Sequence, residues 1–243
     1  VAADDARNPL FLFAVTLQGH GPYEAGRYAS DTIGVEGDLS ASASQALGTY
    51  AQGVAEADDA LLKLMRWAKK RERETIIVLF GDHLPPLGQT FVESGYMPGM
   101  VASRRAPLEI MKKEHETPLV VWSSKTGVRK NIGTISPALL PYHVLKTAGF
   151  SDPFYTGTLG EVQDAFSVVD RHMLVATDGK ALPDWSISPN SIPDGVRNYR
   201  LLQFDMVLGE QYGRERFFHG FNCVTGATHV SYIHLTLPTI DTV

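Results

Sequence analysis

A chain of 243 residues with 44% hydrophobic and 20% charged side chains and a mild net charge of −5 is long enough for one α/β domain, and it carries no basic patch of the kind nucleic-acid binding needs. A single cysteine excludes an internal disulfide, and no apolar run approaches the roughly 20 residues of a membrane-spanning helix. Neither internal repeats nor low-complexity tracts interrupt the pattern.

In chain order, the apolar run Leu10 to Leu17 predicts a strand that exits into Gln18-Gly19-His20-Gly21-Pro22-Tyr23, with His20 flanked by glycines. A helix is predicted from about Gln45 to Arg71, with Val54, Ala57, Leu61, Leu62, Met65 and Ala68 at helical spacing. The β-branched run Ile76-Ile77-Val78-Leu79-Phe80 then predicts a strand buried on both faces. It ends in Gly81-Asp82-His83, and Pro85 and Pro86 keep a helix from starting at once. Strand, helix and strand form a parallel βαβ unit in this reading, which brings His20 and the pair Asp82 and His83 to one sheet edge. An Asp oxygen and a neutral His nitrogen are ligands that zinc and manganese share, so Asp82 and His83 are the candidate metal ligands. Alone, an Asp-His pair after a strand is more often a polar loop, and it is the convergence with His20 that argues for an active site.

Gly88 to Glu116 reads as a long loop or short-helix excursion of the kind that shapes pockets, with Arg104, Arg105, Lys112 and Lys113 as a solvated surface or an anion contact. Pro118 to Trp122 predicts a third strand, and Ser136-Pro137 with Gly149 bracket a helix over Ala138 to Ala148 whose Leu139, Leu140, Val144 and Leu145 are core. His143 and His172 read as packing or surface histidines. Two apolar segments, Phe166 to Val175 and Tyr199 to Val207, flank the turn region Pro183 to Pro193. Ser40, Ser42 and Ser44 suit a capped, solvated helix approach.

The stretches Phe11 to Tyr23 and Thr75 to Pro85 resemble the sulfatase-like domain of lipoteichoic acid synthases and related bacterial phosphoglycerol transferases, in the alkaline phosphatase superfamily. The helix with Tyr50, Val54, Asp58 and Leu61, the strand Pro118 to Trp122 and the segment Arg197 to Asp205 continue the likeness over most of residues 8 to 216. The resemblance implies an α/β fold with a mainly parallel sheet flanked by helices. It divides the chain into the carboxyl-terminal part of a catalytic domain over 1–165, a small antiparallel subdomain over 166–218 and a non-native tail over 219–243. That tail is adaptor-like from about Val230 to Ile240, so Cys223, His229 and His234 carry no weight.

The same resemblance implies that Asp82 and His83 hold a catalytic manganese, with zinc, magnesium or calcium as alternatives. It implies that His20 contacts the phosphate or the leaving alkoxide, and serves as both catalytic and substrate-binding residue. The family's Glu ligand and Thr nucleophile precede the motif at Phe11 to Tyr23, so the chain is expected to hold at most half of the metal site. The activity implied is transfer of glycerophosphate from an anionic phospholipid to a glycan or glycerol polymer through a phospho-threonine, outside the cytoplasmic membrane and anchored by upstream helices. A hydrolase of sulfatase or phosphodiesterase type on the same scaffold, or a non-catalytic module binding an anionic glycan or lipid, are the alternatives. A bared hydrophobic sheet edge predicts poor solubility.

Overall fold

The computed structural model describes residues 9–29, 33–102, 106–128, 130–150, 155–170, 173–182 and 193–212. Arg104, Arg105, His172, the turn region from Pro183 to Ile192, Cys223 and the adaptor-like tail lie outside them. The chain divides into two units, one of residues 1–75, 81–117 and 227–243 and one of residues 76–80 and 118–226.

In the first unit the dominant element is helix α1, Ala41–Lys69. Ser40 starts it, its hydroxyl accepting from the Ala43 amide at 3.2 Å, while Arg66 and Lys69 occupy the last turn, where cations oppose the negative end of the helix dipole. The helix lies where its periodicity predicted, but its burial differs. Ala43, Thr49, Gln52, Gly53 and Ala68 are buried, whereas Val54 and Leu62 on the predicted core face are exposed. The excursion after His83 forms two short helices, α2, Thr90–Glu93, and α3, Leu108–His115. Lys112 pairs with Glu109 at 3.8 Å, and Lys113 donates to the Tyr96 carbonyl at 2.9 Å, so both lysines are tied to the surface that carries them.

The expected strand over Leu10 to Leu17 is not one. Those residues carry no regular structure, and Leu10, Phe11, Leu12, Phe13, Val15 and Leu17 are all exposed. A strand needs a neighbour to take up its amides and carbonyls, and no strand among the described residues pairs with this run.

In the second unit, β1, Ile76–Phe80, pairs with β2, Leu119–Ser123. The pairing is antiparallel, in the register Ile76 to Ser123 through Phe80 to Leu119, and the parallel βαβ reading fails separately, because Leu10 to Leu17 forms no strand to pair with β1. β1 is half-buried rather than covered on both faces, and its Phe80 is exposed. A short 3₁₀ turn, Pro137–Leu139, opens helix α4, Leu140–Thr147, which Gly149 ends at φ +80°, a conformation that favours glycine. Helix α5, Tyr155–Ala165, runs directly into β3, Phe166–Val169, which pairs antiparallel with β4, Leu174–Ala176, and β4 with β5, Ala181–Leu182. The small antiparallel sheet expected here is therefore present. Its expected partner segment, Tyr199 to Val207, is instead helical, within α6, Asp194–Val207, because Val196 and Tyr199 recur at helical spacing and both bury. Leu139, Leu159, Val162 and Tyr199 make one core cluster, and Phe166, Leu174 and Val196 a second. No helix among the described residues is long and apolar enough to cross a membrane.

Candidate functional site

Both sequence motifs fall in the first unit, each held by a local hydrogen-bond net. Around His20, the loop is fastened by one guanidinium. Arg27 donates to the carbonyl of His20, to that of Pro22 at 2.7 Å and to that of Leu17 at 3.1 Å. Two tyrosines add to this, Tyr23 donating to the Gly19 carbonyl at 2.9 Å and Tyr28 to the Gln18 carbonyl at 2.6 Å. The Gly21–Pro22 peptide is cis. The loop then rests on α1 at a glycine: a Cβ on Gly53 would overlap the Gln18 carbonyl and stand 2.6 Å from the Tyr28 hydroxyl. Gln45 donates to the Tyr23 carbonyl at 2.8 Å, and the Tyr23 ring meets Tyr50 edge-on at 5.7 Å.

His20 is exposed, and its Nδ1 lies 2.7 Å from the Gly21 carbonyl. A carbonyl only accepts, so Nδ1 carries the hydrogen and Nε2 of the neutral ring keeps its lone pair. His83 repeats the device, with Nδ1 2.7 Å from the Leu84 carbonyl. Its Nε2 is thereby left with a lone pair, 3.4 Å from Asp82 Oδ2. A cation placed between them would meet both an oxygen and a nitrogen donor. The other Asp82 oxygen accepts from the His83 amide at 2.9 Å, fixing the carboxylate, and Thr117 donates to the Gly81 carbonyl at 2.7 Å and steadies the exit from β1.

The donor chemistry of Asp82 and His83, one hard oxygen and one oriented imidazole nitrogen, fits a divalent cation. It supplies two ligands. Among the described residues no group of three His, Cys, Asp or Glu side chains is assembled, so the structure does not bring His20 into a cluster with them. Ser40 serves as the helix cap, and Thr16 lies in the irregular run, so neither takes a nucleophile's context. His143 packs, its Nε2 3.0 Å from Gln163 Oε1, as a histidine without a site partner should. Sequence reasoning missed Arg27, Gly53 and Thr117. Each acts on backbone carbonyls that only the folded loops bring near, and no spacing in the sequence marks them.

Comparison with known proteins agrees with these motifs. The family model described as Sulfatase matches residues 1–150. A protein of Rhizobium meliloti strain 1021, named for cyclic beta-1,2-glucan modification, is 60% identical over 216 residues, covering 89% of this chain and 34% of that protein. An uncharacterized protein of Haemophilus influenzae is 25% identical over 103 residues, covering 40% of this chain and 18% of its own. The chain thus spans about a third of the length of the first relative and less of the second. Among solved structures, Streptococcus pyogenes phosphoglycerol transferase GacH, in complex with sn-glycerol-1-phosphate, superposes with a TM-score of 0.56 at 20% identity, over 79% of this chain and 44% of that one. That likeness shows the fold, a sulfatase and alkaline phosphatase-like α/β architecture with small antiparallel sheets.

Proposed function

The chain belongs to the sulfatase family, and from that membership we propose that it is part of a phosphoglycerol transferase acting on a glycan. Members of the superfamily usually use divalent metals, and the observation that carries the proposal is the Asp82 and His83 pair, whose Nε2 lone pair and carboxylate oxygen converge at 3.4 Å. We assign these two residues as ligands of manganese. When bound, such an ion polarises phosphoryl oxygens and lowers the cost of the charge that builds on them.

The chain's own residues do the rest of the work assigned here. His83 is held by Leu84 in the tautomer that leaves Nε2 unprotonated, and Asp82 contributes the negative charge that keeps a cation in place. His20, pinned through Nδ1, acts as the imidazolium: Nε2–H gives its proton to the oxygen that leaves the phosphorus as the phosphorus–oxygen bond breaks, and the ring is left as the Nδ1–H tautomer. In the proposed reaction the glycerophosphoryl group leaves a phospholipid as the bond to its diacylglycerol oxygen breaks. A threonine hydroxyl bonds to the phosphorus in its place, losing its proton, and a glycan hydroxyl then attacks, its own proton passing to the threonine oxygen as the phosphorus–threonine bond breaks. The name of the Rhizobium relative supports a glucan as acceptor, and the sn-glycerol-1-phosphate bound to the Streptococcus transferase supports glycerol phosphate as the group moved. We propose the outer face of the bacterial cytoplasmic membrane or the periplasm as the place of the reaction.

The test gives the full-length protein that carries this chain phosphatidylglycerol labelled in its head group, cyclic β-1,2-glucan and manganese, and follows the label. Label on the glucan, lost in Asp82→Ala and in His20→Ala, supports the transferase. Release of free glycerol phosphate with an unlabelled glucan would instead identify a hydrolase on the same scaffold.

A further inference from the structure

A cavity of about 280 Å³ opens immediately after His83, lined by Tyr50 of α1, Leu84, Leu87, Phe91, Ser94 and Tyr96 among others. We infer that it is the subsite for one neutral sugar ring of the glycan acceptor, an assignment that rests on the phosphoglycerol transferase reading above.

Four observations converge on that occupant. The size is near the lower end of small-molecule pockets, roughly 300 Å³, and suits one ring rather than a polymer segment. No Asp, Glu, Lys, Arg or His side chain lines it, so the phosphoryl group itself has no counter-charge there and the ligand is uncharged. The walls are mainly apolar, with Phe91 and Tyr96 5.7 Å apart and their planes tilted by 37°, a ring pair of the kind the C–H side of a sugar packs on, and Tyr50, Thr90, Ser94 and Tyr96 are the hydroxyl-bearing residues of the lining. Those hydroxyls are also primed as acceptors. Tyr96 gives its hydrogen to the Lys113 carbonyl at 2.9 Å and Ser94 to the Phe91 carbonyl at 3.3 Å, leaving lone pairs for sugar hydroxyls. The Tyr50 hydroxyl makes no hydrogen bond among the described residues and can donate as well as accept. A hydrocarbon chain would leave the Tyr50 hydroxyl unpaired.

The position ties the cavity to the chemistry on both sides. Leu84 lines it with its side chain and orients His83 with its carbonyl. Tyr50 lines it and packs on Tyr23, which is bonded to the loop that carries His20. A ring seated there is held beside the residue that follows His83, and Tyr50 links that wall to the His20 loop.

Binding of cyclic β-1,2-glucan to the chain, read by calorimetry and by saturation-transfer NMR, tests this independently of turnover. Leu87→Trp, which places an indole in the cavity, is expected to weaken glucan binding at least tenfold. Tyr50→Phe, which removes one hydroxyl and keeps the ring, is expected to weaken it about three- to tenfold, as loss of one hydrogen bond does. Binding of sn-glycerol-1-phosphate should be unchanged in both. Glucan that does not bind the wild-type chain, or that binds both folded variants as well as the wild type, overturns the assignment. So does dihexanoylglycerol binding that Leu87→Trp abolishes while glucan binding persists, since that would give the cavity to the lipid. Should Leu87→Trp fail to fold, Tyr50→Phe alone decides. Pocket-dependent glucan binding without label transfer to glucan would leave this subsite standing and count against the transferase reading alone.

Discussion

The two histidines of the site are set by the carbonyl of the residue that follows each, Gly21 for His20 and Leu84 for His83. Long-range proton–nitrogen NMR on the chain above the range where imidazole titrates should therefore show both as the Nδ1–H tautomer, and an Nε2–H tautomer at either would contradict the roles given to Nε2. Arg27 holds the His20 loop through three carbonyls, so Arg27→Met should disperse the His20 resonances and weaken sn-glycerol-1-phosphate binding about tenfold while leaving manganese binding unchanged. An unchanged His20 environment would show that the loop holds itself. At this scale the sequence was legible where chemistry is concentrated in a few adjacent letters. His20, Asp82 and His83 stand in compact motifs beside glycine and proline. Arg27 and Thr117 were not legible, because their partners are backbone oxygens ten and thirty-six residues away in the chain.

At the scale of elements, α1 was plain from its periodicity, and β1 and β2 from their β-branched runs, yet what covers them was not. Period and propensity fix the local conformation, whereas burial and strand direction depend on neighbours that the same letters do not name. Leu10 to Leu17 shows the difference most clearly. It reads as a strand and lies irregular, with Phe11 82% exposed, because no described strand supplies its ladder. Such a run favours association, so Phe11→Asp should raise the concentration at which the chain stays monomeric in sedimentation, with no loss of melting temperature. A fall in melting temperature would mean that Phe11 is packed in solution. Gly53 is the complementary case. Gly53→Ala must displace Gln18 or Tyr28, and a cost of about 1–3 kcal/mol in urea unfolding is expected, against about 1 kcal/mol for removing the Ser40 cap in Ser40→Ala.

For the molecule as a whole, stability depends on pH through groups whose titration burial shifts. In the second unit, burial pushes the Tyr199 hydroxyl from 10.0 up to about 12, with Tyr155 adding to the shift and the Gln203 hydrogen bond opposing it. The folded unit keeps that proton where the unfolded chain has released it, so stability present below pH 10 is lost as the pH rises to about 12. Burial lowers His143 from its ordinary 6.5, with the Gln163 bond opposing, so its contribution is present above that value and lost as the pH falls through and below it. Urea unfolding across both limbs should show both declines, and Tyr199→Phe should flatten the alkaline one. The activity assigned to the molecule depends in turn on the metal pair, and manganese paramagnetic resonance tests that pair most directly. Adding the chain should diminish the six-line signal of free manganese and bring in nitrogen-14 modulation, with the binding lost in Asp82→Ala and the modulation lost in His83→Gln. A free-ion signal that the chain leaves untouched, or nitrogen modulation that survives His83→Gln, would contradict the assignment of Asp82 and His83 as metal ligands.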